Sequence, residues 1–176
     1  GYAVSAGEGA NYVGEITIPE TYNGQNVLTV NSFAGCTNLR VIHIPDTVEL
    51  ISLGTEGTAF LNCTSLRTID IYETGNAVEP VYTSVGGVLF SVDELTLIYF
   101  PANAAQAENR DGVYEIPAGT QIISDNAFSH ARNITEITIP ASVTTIGNSA
   151  FAPRSSVSPS MARTLTKVTF LEAEEG

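Results

Sequence analysis

Residues Asn133–Phe151 read NITEITIPASVTTIGNSAF, and the order of residue types in this stretch decides how the whole chain is read. Ile137 and Ile139 alternate with Glu136 and Thr138 before Pro140, the period of two expected of a strand with one buried face. A second apolar pair, Val143 and Ile146, follows, and Ala150-Phe151 closes the unit. The phrase returns as VGEITIP at 13–19, LRVIHIP at 39–45, LRTIDIY at 66–72 and VYEIP at 113–117, so the chain is a tandem repeat.

Spacing separates a constant side of each unit from a variable one. Pro117 to Pro140 and Phe128 to Phe151 are both 23 residues, and phenylalanine to the next proline is 12 from Phe33 and from Phe128. Proline to phenylalanine varies among 14, 15, 11 and 11, so insertions are absorbed in that arm. LRVIHIP places Leu39, Ile42 and Ile44 inward and Arg40, Val41 and His43 outward, and LRTIDIY repeats Leu66, Ile69 and Ile71. Tyr72 stands where the other copies have proline. Proline withholds a ladder donor, so tyrosine lets strand pairing run on. Tyr22-Asn23-Gly24 supplies a turn.

The middle of the chain departs from the phrase. Residues 86–101 read as two strands around the polar turn Ser91–Glu94, a hairpin-like variant repeat that puts Phe100-Pro101 in the Ile-Pro slot. Residues 102–112 read as a surface loop or one helical turn, and 152–164, with Pro153 and Pro159, as an insertion loop. Leu165, Val168 and Phe170 begin a last strand, and the acidic LEAEEG then leads to further repeats or guards the sheet edge by charge. A single repeat domain, 1–176, is expected, as part of a longer repeat or multidomain protein. Gly1-Tyr2 opens the chain without methionine or leader, as in a mature or trimmed segment.

Composition narrows the function classes. With 43% hydrophobic residues and a mean hydropathy of +0.12, the 176 residues are expected to fold around a sizeable core. Nineteen acids against seven Lys and Arg leave a net charge of -12, which repels a phosphate backbone and argues against nucleic acid. The longest uncharged apolar run, Leu95–Pro101, is far short of the ~20 residues of a membrane helix. Cys36 and Cys63 share one position, in AGCTNL and LNCTSL. They are expected to be buried free thiols, since Ala131 fills the same slot, although a disulfide between neighbouring coils is the alternative.

Catalytic chemistry finds little to build on. His43 lies at an outward strand position and His130 in the loop after Phe128; neither has a recurring acid beside it in sequence, and both read as exposed. The cysteines and histidines lack metal-ligand spacing. Asp93-Glu94 and Asp125-Asn126 lack the alternating ligands of a calcium loop and read as solvated turns. Gly86-Gly87 has no phosphate-loop lysine, and no nucleophile elbow occurs. Asn62-Cys63-Thr64 and Asn133-Ile134-Thr135 fit the glycosylation pattern but follow from the repeat phrase. No catalytic residue, metal or cofactor is expected.

The outward face of the strands is the remaining candidate. It carries Glu15 and Thr17, Val41 and His43, Thr68 and Asp70, Leu97 and Tyr99, Val113 and Glu115, Glu136 and Thr138, and Lys167 and Thr169. Tyr72, Leu97, Tyr99 and Val113 are expected to cluster near its centre as an apolar, aromatic interaction patch, flanked by Val41, His43, Asp70 and Glu115. The alternative is that the hairpin or the 102–112 loop covers that patch.

The recurring phrase L-x-x-I-x-I-P, V-x-x-I, A-F, x-x-C-T-x-L resembles the BspA-like leucine-rich repeat of bacterial surface proteins. Leu39, Ile42, Ile44, Pro45, Phe60 and Cys63 carry it in one coil, and Ile134, Ile137, Ile139, Pro140, Val143, Ile146 and Phe151 in another. The resemblance implies a repeat solenoid, a right-handed superhelix with a parallel β-sheet of about six to seven short strands, helical or irregular turns opposite, and one inserted β-hairpin. It also implies a non-enzymatic, secreted or cell-surface module that adheres to host matrix or microbial surface proteins, or to glycans, and acts as a monomer. The alternative is a structural spacer or stalk presenting another domain.

Overall fold

Residues 1–7, 12–53, 58–77, 79–104, 112–132, 134–152 and 165–172 are described in the structure, a computed structural model of the chain. The alternating segments become strands stacked in two rows. The first row contains β2 (Gly14–Thr17), β5 (Leu39–Pro45) and β7 (Thr68–Tyr72), then β11 (Val113–Glu115), β13 (Glu136–Ile139) and β15 (Lys167–Phe170), paired in parallel within each set of three. The second contains β1 (Tyr2–Val4), β4 (Gln25–Val30) and β6 (Leu50–Ile51), then β10 (Thr96–Tyr99), β12 (Ile122–Ile123) and β14 (Thr145–Ile146). The chain is a β-solenoid of about five turns with parallel sheets. One 3-10 turn, Thr58–Phe60, is the only helical element among the described residues. The second row is an addition to the single sheet expected: the return segments, with one or two inward residues each, also pair across coils.

Register converts the repeat into a core. Ile16 lies opposite Ile42, Ile42 opposite Ile69 and Ile44 opposite Ile71. In the second row Val30 pairs with Ile51, and Ile123 joins Leu97 to Ile146. Each such side chain lies above its equivalent in the preceding coil, and full burial of one contributes about 1.5–3 kcal/mol, whereas Ile146 is 41% exposed. The Phe positions form a further column: Phe33 N donates to Ala59 O at 2.6 Å and Phe128 N to Ala150 O at 2.8 Å. The Tyr22–Gly24 turn closes an antiparallel pair between β3 (Thr21–Tyr22) and β4, with positive φ at both Asn23 and Gly24.

Both rows break at the same place, where β8 (Tyr82–Val85), β9 (Val88–Ser91) and β10 form an antiparallel meander. The hairpin read at 86–101 is its β9–β10 half; β8, absent from the sequence reading, adds a third strand. Asp93 organises the β9–β10 turn, accepting from Ser91 Oγ at 2.5 Å and from Leu95 N at 3.0 Å, which lowers its pKa. The β8–β9 turn seals the edge of β7: Ile69 N donates to Gly87 O at 3.0 Å, and Ser84 Oγ donates to Ile69 O at 2.6 Å. A Cβ on Gly87 would lie 3.1 Å from Thr68 Oγ1 and 3.3 Å from Thr68 Cα, at a φ of +86°. Gly87→Ala is therefore expected to lower stability by about 1–3 kcal/mol, read from urea unfolding; an unchanged midpoint would mean that the turn does not press on β7.

β9 is buried on both faces. Leu89 packs into the core of the first coils, whereas Val88 and Phe90 pack into that of the later ones. Its partner β10 corrects the sequence reading. Leu97 and Tyr99 are not outward: they are 0% and 2% exposed. β10 belongs to the second row, and a bulge between Leu97 and Tyr99 sets Leu97 opposite Phe90 and Tyr99 opposite Leu89. Leu97 thereby enters one core and Tyr99 the other. Phe100 likewise leaves the Ile-Pro slot for the Phe column, its amide donating to Ala127 O at 2.9 Å.

Cys36 and Cys63 are buried thiols that are not joined in a disulfide. Cys63 Sγ donates to Phe33 O at 3.0 Å, and burial, with Cys36 close by, pushes its pKa up to about 12. Between the ordinary value of 9.0 and about 12 the unfolded chain releases a proton that the folded chain keeps. Rising pH therefore favours unfolding through this window, at most ~1.4 kcal/mol per pH unit. Burial also raises the pKa of Tyr99 and Tyr114, which steepens the alkaline limb. Cys63→Ala is expected to flatten the decline in unfolding midpoint between pH 8 and pH 10.5; a slope equal to that of the parent would contradict the buried thiol.

The insertion read at 152–164 lies, from residue 153 on, outside the described residues, as do most of the 102–112 loop, Asn133 and the end of the acidic tail.

Candidate functional site

The first row presents one regular outer face over β2, β5 and β7. Inward alternation is enforced by Ile16, Ile42 and Ile69, so the intervening side chains stand outward at the strand spacing. Thr17 lies opposite His43, and His43 opposite Asp70. His43 Nδ1 is 2.7 Å from Asp70 Oδ2, and its Nε2 is 3.8 Å from Glu15 Oε2. One imidazole thus links carboxylates on the strands either side of it. The histidine side chain is 30% exposed and those of Asp70 and Glu15 are 42% and 69% exposed. Val41 is half-buried beside them, between Glu15 and Thr68.

His43 therefore does have acids beside it, contrary to the sequence reading. The signal was present: Asp70 occupies in LRTIDIY the slot of His43 in LRVIHIP, and equivalent slots face each other across a parallel ladder. His130 also differs from its reading, being 7% exposed, with Ser129 Oγ 3.0 Å from its Nδ1 and its ring 6.1 Å from that of Tyr99.

The central apolar patch does not form. Leu97 and Tyr99 are inside the two cores, and Tyr72 is partly buried with its hydroxyl donating to Ile18 O at 2.7 Å. That bond ties the third coil to the first. Burial, then Glu20 and Asp46, raise the Tyr72 pKa. Strand pairing does not run further at this position: β7 ends at Tyr72, opposite the Pro45 that ends β5, and the bond made there, Asp46 N to Tyr72 O at 3.0 Å, uses a carbonyl that proline also has. Val113 and Glu115 lie on β11, in the second set of three strands, opposite Glu136 and Thr138. There Lys167 Nζ bridges to Glu136 Oε1 at 2.6 Å, which lowers the Glu136 pKa.

The arrangement offers fixed acceptors and one imidazole on a stiff sheet. No three His, Cys, Asp or Glu side chains among the described residues come together as a metal site, and no helix among them is long and apolar enough to cross a membrane.

The repeat pattern of the BspA-type leucine-rich repeat region matches residues 10–110 and 113–170, in six copies. The chain belongs to this family. Solved structures similar to this BspA-type repeat include a leucine-rich cell surface protein from Faecalibacterium prausnitzii A2-165, with 24% identity over 90% of this chain and 41% of that one, at a TM-score of 0.55. The pneumococcal vaccine antigen PcpA has 24% identity over 84% of this chain and 32% of its own, at 0.58. A leucine-rich repeat protein from Eubacterium ventriosum ATCC 27560 has 17% identity over 90% and 42%, at 0.55. At these identities the likeness is one of fold, and the chain spans less than half the length of each. No curated protein matches it in sequence.

Proposed function

We propose that this BspA-type segment is a non-enzymatic adhesion module of a secreted or cell-surface bacterial protein, binding host matrix or microbial surface proteins through the outer face of β2, β5 and β7. The observation that carries this reading is the Glu15–His43–Asp70 row beside Val41, polar groups held at strand spacing around a small apolar centre. Parallel ladders on one side and a packed core on the other hold these side chains in place before a partner arrives, which reduces the ordering cost of association. Membership of a surface-protein repeat family and the cell-surface description of one similar structure support the location.

An array of matrix proteins, microbial surface proteins and glycans, probed with the purified chain, tests the reading. Binding to a protein target that is lost in Val41→Asp with His43→Ala, while the circular dichroism spectrum is kept, is the expected result. A blank array removes the adhesion role and leaves the spacer alternative.

A further inference from the structure

The two cysteines occupy one turn that is repeated in successive coils. Cys36 N donates to Phe33 O at 3.2 Å and Cys63 N to Phe60 O at 3.1 Å. The residue before each cysteine has a positive φ, +80° at Gly35 and +60° at Asn62, so the two turns share a conformation. Bonds between the coils fix their alignment on both sides of the thiols. Phe33 N donates to Ala59 O at 2.6 Å and Gly35 N to Leu61 O at 2.8 Å on one side, and Thr64 Oγ1 donates to Thr37 O at 3.3 Å on the other. Cys36 therefore lies against Cys63 as one strand lies against the next, at a spacing of about 4.8 Å.

A second observation concerns the direction of the Cys63 side chain. Phe33 O accepts from Cys36 N at 3.2 Å and from Cys63 Sγ at 3.0 Å, so the Cys63 thiol reaches across the coil boundary into the turn that carries Cys36. Both residues are shut in, at 0% and 1% exposed. In a later coil Ala131 N makes the same bond to Phe128 O, at 3.0 Å, with a methyl group in place of the thiol.

We propose that Cys36 and Cys63 are a disulfide site, closed when their coils fold in the presence of a small-molecule disulfide and left as two thiols where none is available. Bridged cysteines have Cα atoms about 4.4–6.8 Å apart, a range that includes the strand spacing, and Cβ atoms ~3.8 Å apart, so the two turns need to approach by about 1 Å. The folded coils exclude an oxidant, and exchange takes place in the unfolded chain or with the first coil open. There one cysteine thiolate attacks the small disulfide, forming a mixed disulfide and expelling one small thiol. As the coils come together the second cysteine thiolate attacks the sulfur of the first and expels the other. The cysteine pair gives up two electrons and two protons, and the small disulfide leaves as two thiols. Phe33 O loses the Cys63 donor but keeps Cys36 N, so no buried carbonyl is orphaned. The site uses none of the outer-face residues and stands whether or not they bind a partner.

Refolding of the reduced chain from urea in a mixture of reduced and oxidised glutathione tests the assignment. Trypsin cuts after Arg40 and Arg67, which places each cysteine in its own peptide, 1–40 and 41–67. The expected result is a monomer lighter by two hydrogens whose two peptides are joined, with neither cysteine open to alkylation after denaturation. Its unfolding equilibrium constant should be at least ~100-fold smaller than that of the reduced chain, as for a closed loop of this size, and dithiothreitol should restore the parent value. In the same glutathione mixture held in urea, the yield of the joined pair should fall by a similar factor. Cys36→Ala and Cys63→Ala, which place alanine where Ala131 already stands, should show no dithiothreitol-dependent change in urea midpoint. Two thiols that remain open to alkylation after refolding, glutathione on both cysteines, a bond between two chains, equal yields in native buffer and urea, or a joined pair with an unchanged midpoint would each overturn the proposal.

Discussion

Phe128→Ala is expected to lower the unfolding free energy by about 3–5 kcal/mol. Phe128 is 5% exposed, and its ring stacks at 5.0 Å on Phe100 and at 5.2 Å on Phe151, with Tyr114 at 6.0 Å. Truncation removes the middle of a column that runs through three coils, and Phe100, held by its own amide bond to Ala127 O, does not shift to close the gap. Because one coil of a solenoid is stable only against its neighbours, the loss falls on the later coils as a unit. Urea unfolding followed by circular dichroism measures it, and a change below ~1 kcal/mol would reject the core position. A Phe100→Ala, Phe128→Ala double variant should lose less than the two single losses added, because the rings are in contact.

Leu97→Ala is expected to cost about 2–5 kcal/mol. The same substitution on an outward sheet position would stay within about 0.5 kcal/mol, so the experiment separates the two assignments of β10 directly. Leu97 is 0% exposed, paired with Phe90 on one side and Ile123 on the other. It therefore links the meander to the regular coils that follow. A small effect would mean that β10 belongs to the first row after all and that the aromatic patch read from the sequence exists.

These variants also mark where the chain was legible. The Ile-x-Ile-Pro phrase foretold β5, β7 and β13 and their inward residues, because burial on one face of a strand imposes a period of two that no local context can hide. The shared slot of Cys36 and Cys63 likewise foretold two buried thiols. The outer face was half legible: Val41, His43 and Asp70 do lie together, whereas the ion pairing of His43 needed the coil-to-coil alignment and not the neighbours in sequence. The meander was read as a hairpin in the wrong row. LTLIYFP has the alternation of either row, and one bulged residue is enough to send Leu97 and Tyr99 into different cores.

The sequence alone determined the solenoid, since residue types repeating every 23 positions bury apolar surface only when coils stack. It also determined the acidic balance of the chain and the inward isoleucines of β5, β7 and β13. Tertiary structure decided what periodicity leaves equivalent: which row β10 joins, and that Gly86-Gly87 closes the edge of β7. It also decided that the segment after Tyr72 folds back on Asp46, where Thr74 Oγ1 donates to Asp46 Oδ1. Such choices rest on contacts between coils at unequal spacing. A repeat pattern specifies what each coil shares with the next, and contacts between coils decide where they differ.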